Sequence, residues 1–199
     1  DHHYNTPRVW FAQHYLNPVA AASQTPESSE MPFIRKPERK IAVEDIQYIL
    51  KSHYNETKYD PLGDGNEHDR KVYRAISLSR TAQSHILQMR NNVDSKHAAV
   101  QWIEMGVPSF NDYVPFFANA DDTDVSYREL PKKMDLKSAF WLNEALAIVV
   151  EAHYSEFNQA DLDFQKELGE WCRRKIHEVD EHAKKLAGKQ LTTYLTGQN

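Results

Sequence analysis

The spacing of apolar residues divides the chain into a middle section with a period of two and a C-terminal section with a helical period. Four short segments in the middle section, VYRAISL, SHILQMR, AAVQWIEM and DYVPFFA, are rich in β-branched or aromatic residues. They predict an antiparallel meander of about four strands, and the first two strands form a hairpin joined across residues 79–82. Alternation in the second strand places His85 on one face and Ser84 and Gln88 on the other.

The helical periods predict one helix before this meander and two after it. Residues 43–54 carry apolar side chains at helical spacing, with Glu44 and Asp45 in the first turn, where the helix dipole favours acidic groups. Residues 138–154 are apolar almost all round, and residues 160–187 form a long amphipathic pattern. The C-terminal section is therefore predicted to be helical and largely buried along one stripe.

The order of these elements indicates an α+β fold in which helices cover one side of a sheet. We divide the chain into a strand and a Pro-rich loop (1–42), a helix with antiparallel strands (43–137) and long helices (138–199). The chain opens at Asp1 into apolar, aromatic sequence, which favours a fragment of a larger protein, with a processed mature terminus as the alternative. Residues 1–199 are accordingly either a single domain or the C-terminal part of a larger one. The uncovered sheet face then needs a partner, either a second sheet or another copy of the chain in a homo-oligomer.

The amino-acid composition excludes some classes of binding partner and indicates the cellular compartment. The 24 Lys+Arg against 29 Asp+Glu give a mildly acidic chain, which argues against nucleic acid and anionic membrane surfaces as partners. No apolar run approaches the roughly 20 residues of a membrane span. The one cysteine, Cys172, cannot form an internal disulfide and suits a reducing compartment. These features predict a soluble, cytoplasmic protein.

Neither the histidines nor the cysteine forms a complete catalytic or metal-binding pattern. His177 and His182 in HEVDEH are five positions apart, whereas a zinc-binding HExxH helix needs four, so we predict neither a metal nor a cofactor. Cys172 follows Trp171 on the apolar stripe of a long helix, which favours a core residue over a nucleophile.

Polar side chains gather at the predicted hairpin, and they allow two interpretations. In the first, Arg80 bridges loops, Ser84 and Gln88 satisfy backbone groups and His85 is packed, so that the hairpin is a polar seam. In the second, Arg80 lies at the mouth of a cleft, where its planar guanidinium binds a substrate carboxylate. The residues alone favour the polar seam.

Several segments resemble the C-terminal half of the dipeptidase A family of lactic acid bacteria, which is peptidase family C69 within the N-terminal-nucleophile hydrolases. They are TPRVWFAQHYLNP, YDPLG, YRAISLSRTAQSHILQMR, WIEMGVPSFNDYVPFFA and SAFWLNEALAIVV, in that order along nearly the whole chain. The resemblance implies an αββα sandwich of two antiparallel sheets faced by helices. It also implies a thiol peptidase that hydrolyses dipeptides through an N-terminal cysteine exposed by propeptide removal, without a metal.

The chain departs from this family at the nucleophile. Asp1 is not a cysteine, and Cys172 lies where the family has its C-terminal helices. The resemblance therefore implies an inactive fragment whose partner is the missing N-terminal half of the same protein. Arg80 is the candidate for a catalytic arginine, and the candidates for binding the dipeptide are Arg80, Ser84, His85, Gln88 and Arg8.

Two alternatives remain open at this point. The chain could be a non-enzymatic α+β assembly module whose exposed sheet face mediates association. It could also belong to an amidase of the same fold that acts on another substrate.

Overall fold

The computed structural model describes all 199 residues and has an α+β fold with helices and one three-stranded antiparallel sheet. Two compact units are present, Asp1–Ser79 and Arg80–Asn199. The α-helices are α1 Asn5–Leu16, α2 Val43–Lys51, α3 Glu67–Val72, α4 Val125–Arg128, α5 Ala139–Ala152, α6 Tyr154–Ala183 and α7 Gly188–Thr196. The strands are β1 Gln83–Met89, β2 Ala99–Met105 and β3 Val114–Phe117, with a 3-10 helix at Pro108–Phe110. None of the helices combines the length and the apolar character needed to cross a bilayer.

The first unit is built from helices and loops, and the strand predicted within residues 1–42 is wrong. That segment forms α1, in which Pro7 and Phe11, four positions apart, are both buried on one face. Proline is tolerated in the first helical turn because the N–H group that it lacks has no partner there. The predicted helix over residues 43–54 is confirmed as α2 and ends at Lys51.

A hydrogen-bond network centred on Asp45 fixes the start of α2. Its carboxylate accepts hydrogen bonds from the Arg39 guanidinium at 2.7 and 2.8 Å, and from the Ala42 N–H at 2.7 Å. The Tyr15 hydroxyl donates a further bond at 3.0 Å, which links α1 to α2. These bonds, with that from Arg39 as the largest cause, lower the pKa of Asp45 to about 2.

The first strand of the predicted meander is absent, so the sheet has three strands rather than four. Residues 73–82 follow α3 without forming a strand, and no hairpin crosses residues 79–82. Their backbone carbonyls are occupied in another way, because the Tyr54 hydroxyl donates to the Arg74 carbonyl at 2.9 Å. The Arg8 Nε also donates to the Ala75 carbonyl at 3.1 Å. Side chains therefore take the bonds that a neighbouring strand would need.

The sheet of the second unit has the order β1-β2-β3 with antiparallel pairing throughout. Ile86 lies opposite Trp102, and Trp102 lies opposite Pro115 on the other side. Pro115 is thus on an edge strand, as its missing N–H predicts. The central strand β2 buries every second residue, including Val100 and Glu104.

The two long C-terminal helices predicted from the sequence are confirmed as α5 and α6, although α6 begins earlier and ends earlier than expected. Helix α6 ends at Ala183, and Gly188 begins α7 with a positive φ of 52°. One face of β1 is uncovered in this chain, because Leu87 and Met89 are 73% and 71% exposed.

A buried ion pair attaches the end of β1 to α6. Arg90 directly follows β1, and its two terminal nitrogens donate to the Asp180 carboxylate at 2.7 and 3.0 Å. The Arg90 Nε also donates to the Ala98 carbonyl at 3.3 Å. The Arg90 and Asp180 side chains are only 8% and 10% exposed. The strand that carries most of the candidate site residues is therefore held at its C-terminal end.

Candidate functional site

Three of the five sequence-predicted site residues lie on β1, but they do not share a face. Ser84 and Gln88 are half-buried on one face, and His85 is exposed on the other, as the alternation predicted. The imidazole of His85 therefore points away from the side chains of Ser84 and Gln88.

Ser84 is hydrogen-bonded inside the second unit. The hydroxyl of Tyr113, which is fully buried, donates to the Ser84 Oγ at 2.6 Å. Burial raises the pKa of Tyr113 well above its ordinary value, so the phenol keeps its proton and remains a donor. Ser84 lies opposite Glu104 in the β1–β2 register, and Glu104 is also fully buried. The Ser84 hydroxyl is thus held by its hydrogen bond from Tyr113.

Gln88 has a similar internal contact. The Trp102 indole Nε1 donates to the Gln88 Oε1 at 2.9 Å. In both cases the partner is an aromatic side chain, whereas the polar-seam interpretation expected backbone groups. Ser84 and Gln88 therefore position aromatic residues of the sheet and of the segment before β3.

Arg80 differs from these residues because its side chain is exposed and makes no hydrogen bond or ion pair. It is the first residue of the second unit and precedes β1 by three positions. It does not bridge loops, as the polar-seam interpretation required. Its guanidinium is left free to bind an anionic group.

Arg8 lies on α1, and its side chain donates hydrogen bonds to backbone carbonyls of the first unit. The Nε of Arg8 donates to the carbonyls of Ala75 and Arg74 at 3.1 and 3.4 Å. A guanidinium with these partners holds the segment after α3 in place, which gives Arg8 a structural role in this chain.

A buried acidic and aromatic cluster, which was not predicted from the sequence, lies beneath the sheet. Glu104, Asp112 and Tyr113 are 0%, 8% and 0% exposed. The available signal was the alternation in AVQWIEM, because Glu104 follows the buried Val100 and Trp102 at a spacing of two. A carboxylate on the buried face of a central strand is costly unless the fold uses it.

The turn after β2 brings this cluster next to α5. Gly106 has a positive φ of 99°, which glycine adopts without a steric penalty. The Gly106 N–H donates to the Ala82 carbonyl at 3.0 Å, so the turn is joined to the residue before β1. The Asn143 side-chain amide donates to the Met105 carbonyl at 2.7 Å. The segment GVPSFNDY is thereby fixed from both sides.

Cys172 is buried on α6 with 0% exposure, as its place on the apolar stripe predicted. Burial raises the pKa of its thiol to about 12, and the charge of Asp112 acts in the same direction. A thiol with this pKa is protonated at neutral pH and is a poor nucleophile.

Comparison with known proteins identifies the family. The sequence model of peptidase family C69 matches residues 1–167. The chain belongs to this family. It is 60% identical over all 199 residues to a "Probable dipeptidase" from Latilactobacillus sakei, and the match covers 41% of that protein.

More distant C69 relatives give the same result. The chain is 36% identical over its whole length to "Dipeptidase A" from Lactobacillus helveticus, of which the match covers 42%. It is 34% identical over 94% of its length to a "Dipeptidase" from Bifidobacterium longum strain NCC 2705, covering 36% of that protein. The chain thus spans about two fifths of the length of the curated relatives it matches, and it corresponds to their C-terminal part.

Proposed function

We propose that this chain is part of a cysteine dipeptidase that hydrolyses dipeptides by N-terminal-nucleophile chemistry. The match of residues 1–167 to peptidase family C69 carries the proposal, supported by relatives that are named dipeptidases. In this chemistry a cysteine thiolate forms a bond to the peptide carbonyl carbon, and the free α-amino group takes up the thiol proton. The C–N bond breaks, the amine leaves with a proton, and water then releases the acyl group from sulfur. A thiol-dependent enzyme of this kind suits a reducing, cytoplasmic environment.

The nucleophile in this proposal comes from a part of the protein outside these residues. Cys172 is unsuited to the role because its thiol is fully buried and its pKa is raised to about 12. We therefore expect the 199-residue chain alone to be inactive toward dipeptides.

The uncovered face of β1 supports the αββα arrangement. Leu87 and Met89 are mostly exposed on this face, and a second sheet packed against it would remove both from water. Full burial of a side chain of this size contributes about 1.5–3 kcal/mol. The rest of the protein is the proposed source of that sheet, and in the isolated chain self-association would cover the same face.

Arg80 is the proposed active-site arginine. Its exposed guanidinium has no internal partner, so binding a substrate carboxylate would cost no existing interaction. Ser84 and Gln88 are proposed to act indirectly, by keeping Tyr113 and Trp102 in place beneath β1. His85 is exposed on the other face and remains a candidate for binding the dipeptide.

Hydrolysis assays on the complete protein and on the 199-residue chain test the assignment. We expect the complete protein to cleave dipeptides and to lose this activity after thiol alkylation, while the chain alone is inactive. Activity of the chain alone would overturn the proposed origin of the nucleophile. Cleavage of acyl amides in preference to dipeptides would instead assign an amidase, and inactivity toward both classes would favour an assembly module.

An arginine comparison tests the role of Arg80. In the complete protein, Arg80→Ala should lower kcat/KM by about 10- to 100-fold, the effect of losing a charge-assisted hydrogen bond of about 1.5–3 kcal/mol. Arg174 on α6 is also exposed and without a partner, so Arg174→Ala is the matched control. Both variants should keep the unfolding midpoint of the parent. Equal activity of the two variants would remove Arg80 from the site.

A further inference from the structure

An aromatic cavity of about 400 Å³ opens in the first unit. Its walls include the rings of Trp10, Tyr15, Tyr48 and Tyr59 and the side chain of Glu56. The Tyr15 and Tyr48 rings are 4.6 Å apart, and the Trp10 and Tyr59 rings meet edge-on at 6.0 Å. Neighbouring rings at different angles surround a space large enough for a small organic molecule.

Glu56 supplies a negative charge to this cavity without a partner to neutralise it. Its carboxylate is exposed and makes no hydrogen bond or ion pair. After burial, the charge of Glu56 is the next largest cause of the raised pKa of Tyr48, so the carboxylate acts on a ring of the cavity wall. An unpaired carboxylate beside ring faces gives the cavity a negative potential.

The backbone that presents Glu56 is in an unusual conformation. Tyr54 and Glu56 have positive φ values of 67° and 63°, and neither is a glycine. Tyr54 is fully buried, and its hydroxyl and N–H are both hydrogen-bonded, the latter to the Ser52 Oγ at 2.9 Å. Conformations of this kind persist where the surrounding structure enforces them, and they concentrate at ligand sites.

Cations already lie over two rings of the wall. The Arg39 guanidinium is 5.2 Å from the centre of the Tyr15 ring, and the Lys58 ammonium is 4.9 Å from that of Tyr59. Each has its own carboxylate partner, because Arg39 binds Asp45 and Lys58 lies 3.2 Å from Asp69. Neither of them neutralises Glu56.

We propose that this cavity binds a small organic ammonium ion. The ring faces contact its alkyl groups and its distributed positive charge, and Glu56 supplies the countercharge. Quaternary alkylammonium compounds and the free amino terminus of a short peptide share this chemistry. Such a site would exist whether or not the complete protein is a peptidase.

Calorimetric titration of the 199-residue chain with choline and with 3,3-dimethyl-1-butanol, its uncharged isostere, tests the proposal. Choline should bind about two- to fivefold more tightly, which is the effect of one exposed cation–π contact, and more if Glu56 adds to it. A glycine peptide amide with a free amino terminus, compared with its acetylated form, distinguishes a peptide amine from a quaternary ammonium as the preferred ligand.

Two charge-matched variants complete the experiment. Glu56→Gln should weaken choline binding about three- to tenfold and leave binding of the uncharged isostere unchanged. Glu30→Gln removes the same charge from an exposed residue of the first unit outside the cavity, and it should leave both affinities unchanged. Equal binding of the two isosteres, no binding of any amine, or equal effects of the two variants would each overturn the proposal. Unchanged circular dichroism will exclude misfolding of the variants.

Discussion

Replacing Arg90 with methionine tests whether the buried ion pair to Asp180 holds β1 on α6. Methionine keeps most of the aliphatic length of arginine, so the change removes the charge and the hydrogen bonds while leaving apolar volume. The Asp180 carboxylate would lose its two bonds of 2.7 and 3.0 Å and stay in a site where it is only 10% exposed.

The expected cost follows from this burial. Removing one partner of a buried pair destabilises a protein by about 3–5 kcal/mol, because the other charge is left uncompensated. We expect the lower end of this range, about 3 kcal/mol, because methionine keeps the apolar packing of the arginine stem. At a typical slope of about 2 kcal/mol per M, the urea midpoint falls by about 1.5 M.

Hydrogen exchange measured by mass spectrometry across a urea series is the suitable assay, because peptides from β1 and α6 report on the second unit alone. Arg128→Met is the matched control, since the Arg128–Asp122 pair is largely exposed and its loss should not shift the midpoint measurably. The double variant Arg90→Met/Asp180→Leu should regain most of the stability. A shift in Arg90→Met no larger than that of Arg128→Met would show that the Arg90–Asp180 pair does not hold β1 on α6.

Three further predictions concern single groups. Cys172 should resist a thiol reagent at pH 8 until denaturant is added, because its pKa of about 12 leaves very little thiolate; rapid labelling of the folded chain would contradict its burial. Asp45 has a pKa lowered from 3.8 to about 2, so its contribution to stability is present above about pH 4 and is lost as the pH falls toward 2. The urea unfolding midpoints of the parent and of Asp45→Asn, measured by circular dichroism at a series of pH values, should therefore differ above pH 4 and converge near pH 2. Tyr113→Phe removes the donor to the Ser84 Oγ and should lower the free energy of unfolding in urea by about 1 kcal/mol. Tyr127 does not donate to Ser84, so Tyr127→Phe is the control.

The helices were predictable because their signal is long and local. The apolar positions of α5 and α6 recur over 14 and 30 residues, so a local irregularity does not hide the period. The segment 73–79 shows the opposite case. Ala75 and Ser77 are buried at a spacing of two, as in a strand, but Arg8 and Tyr54 occupy the neighbouring carbonyls. The alternation in this segment therefore predicted which residues are buried, but it could not predict that side chains, and not a neighbouring strand, bind the backbone carbonyls.

The candidate site was predictable only in part, for a similar reason. Alternation assigned Ser84 and Gln88 to one face of β1 and His85 to the other. The partner of Ser84 is Tyr113, which is 29 positions away along the chain. The sheet and the turn at Gly106 bring these two residues together. The spacing of residues along the chain could not predict a contact over this distance.

The uncovered face of β1 also makes Met89 a chemical reporter. A thioether that is 71% exposed reacts readily with peroxide to give the sulfoxide, and Met134, at 61% exposure, provides an internal reference for the dose. If a second sheet lies on this face in the longer family members, the same methionine is shielded there while an exposed reference still reacts. The ratio of Met89 oxidation to Met134 oxidation, measured on the peptides that contain them, would then report whether a second sheet covers this face of β1.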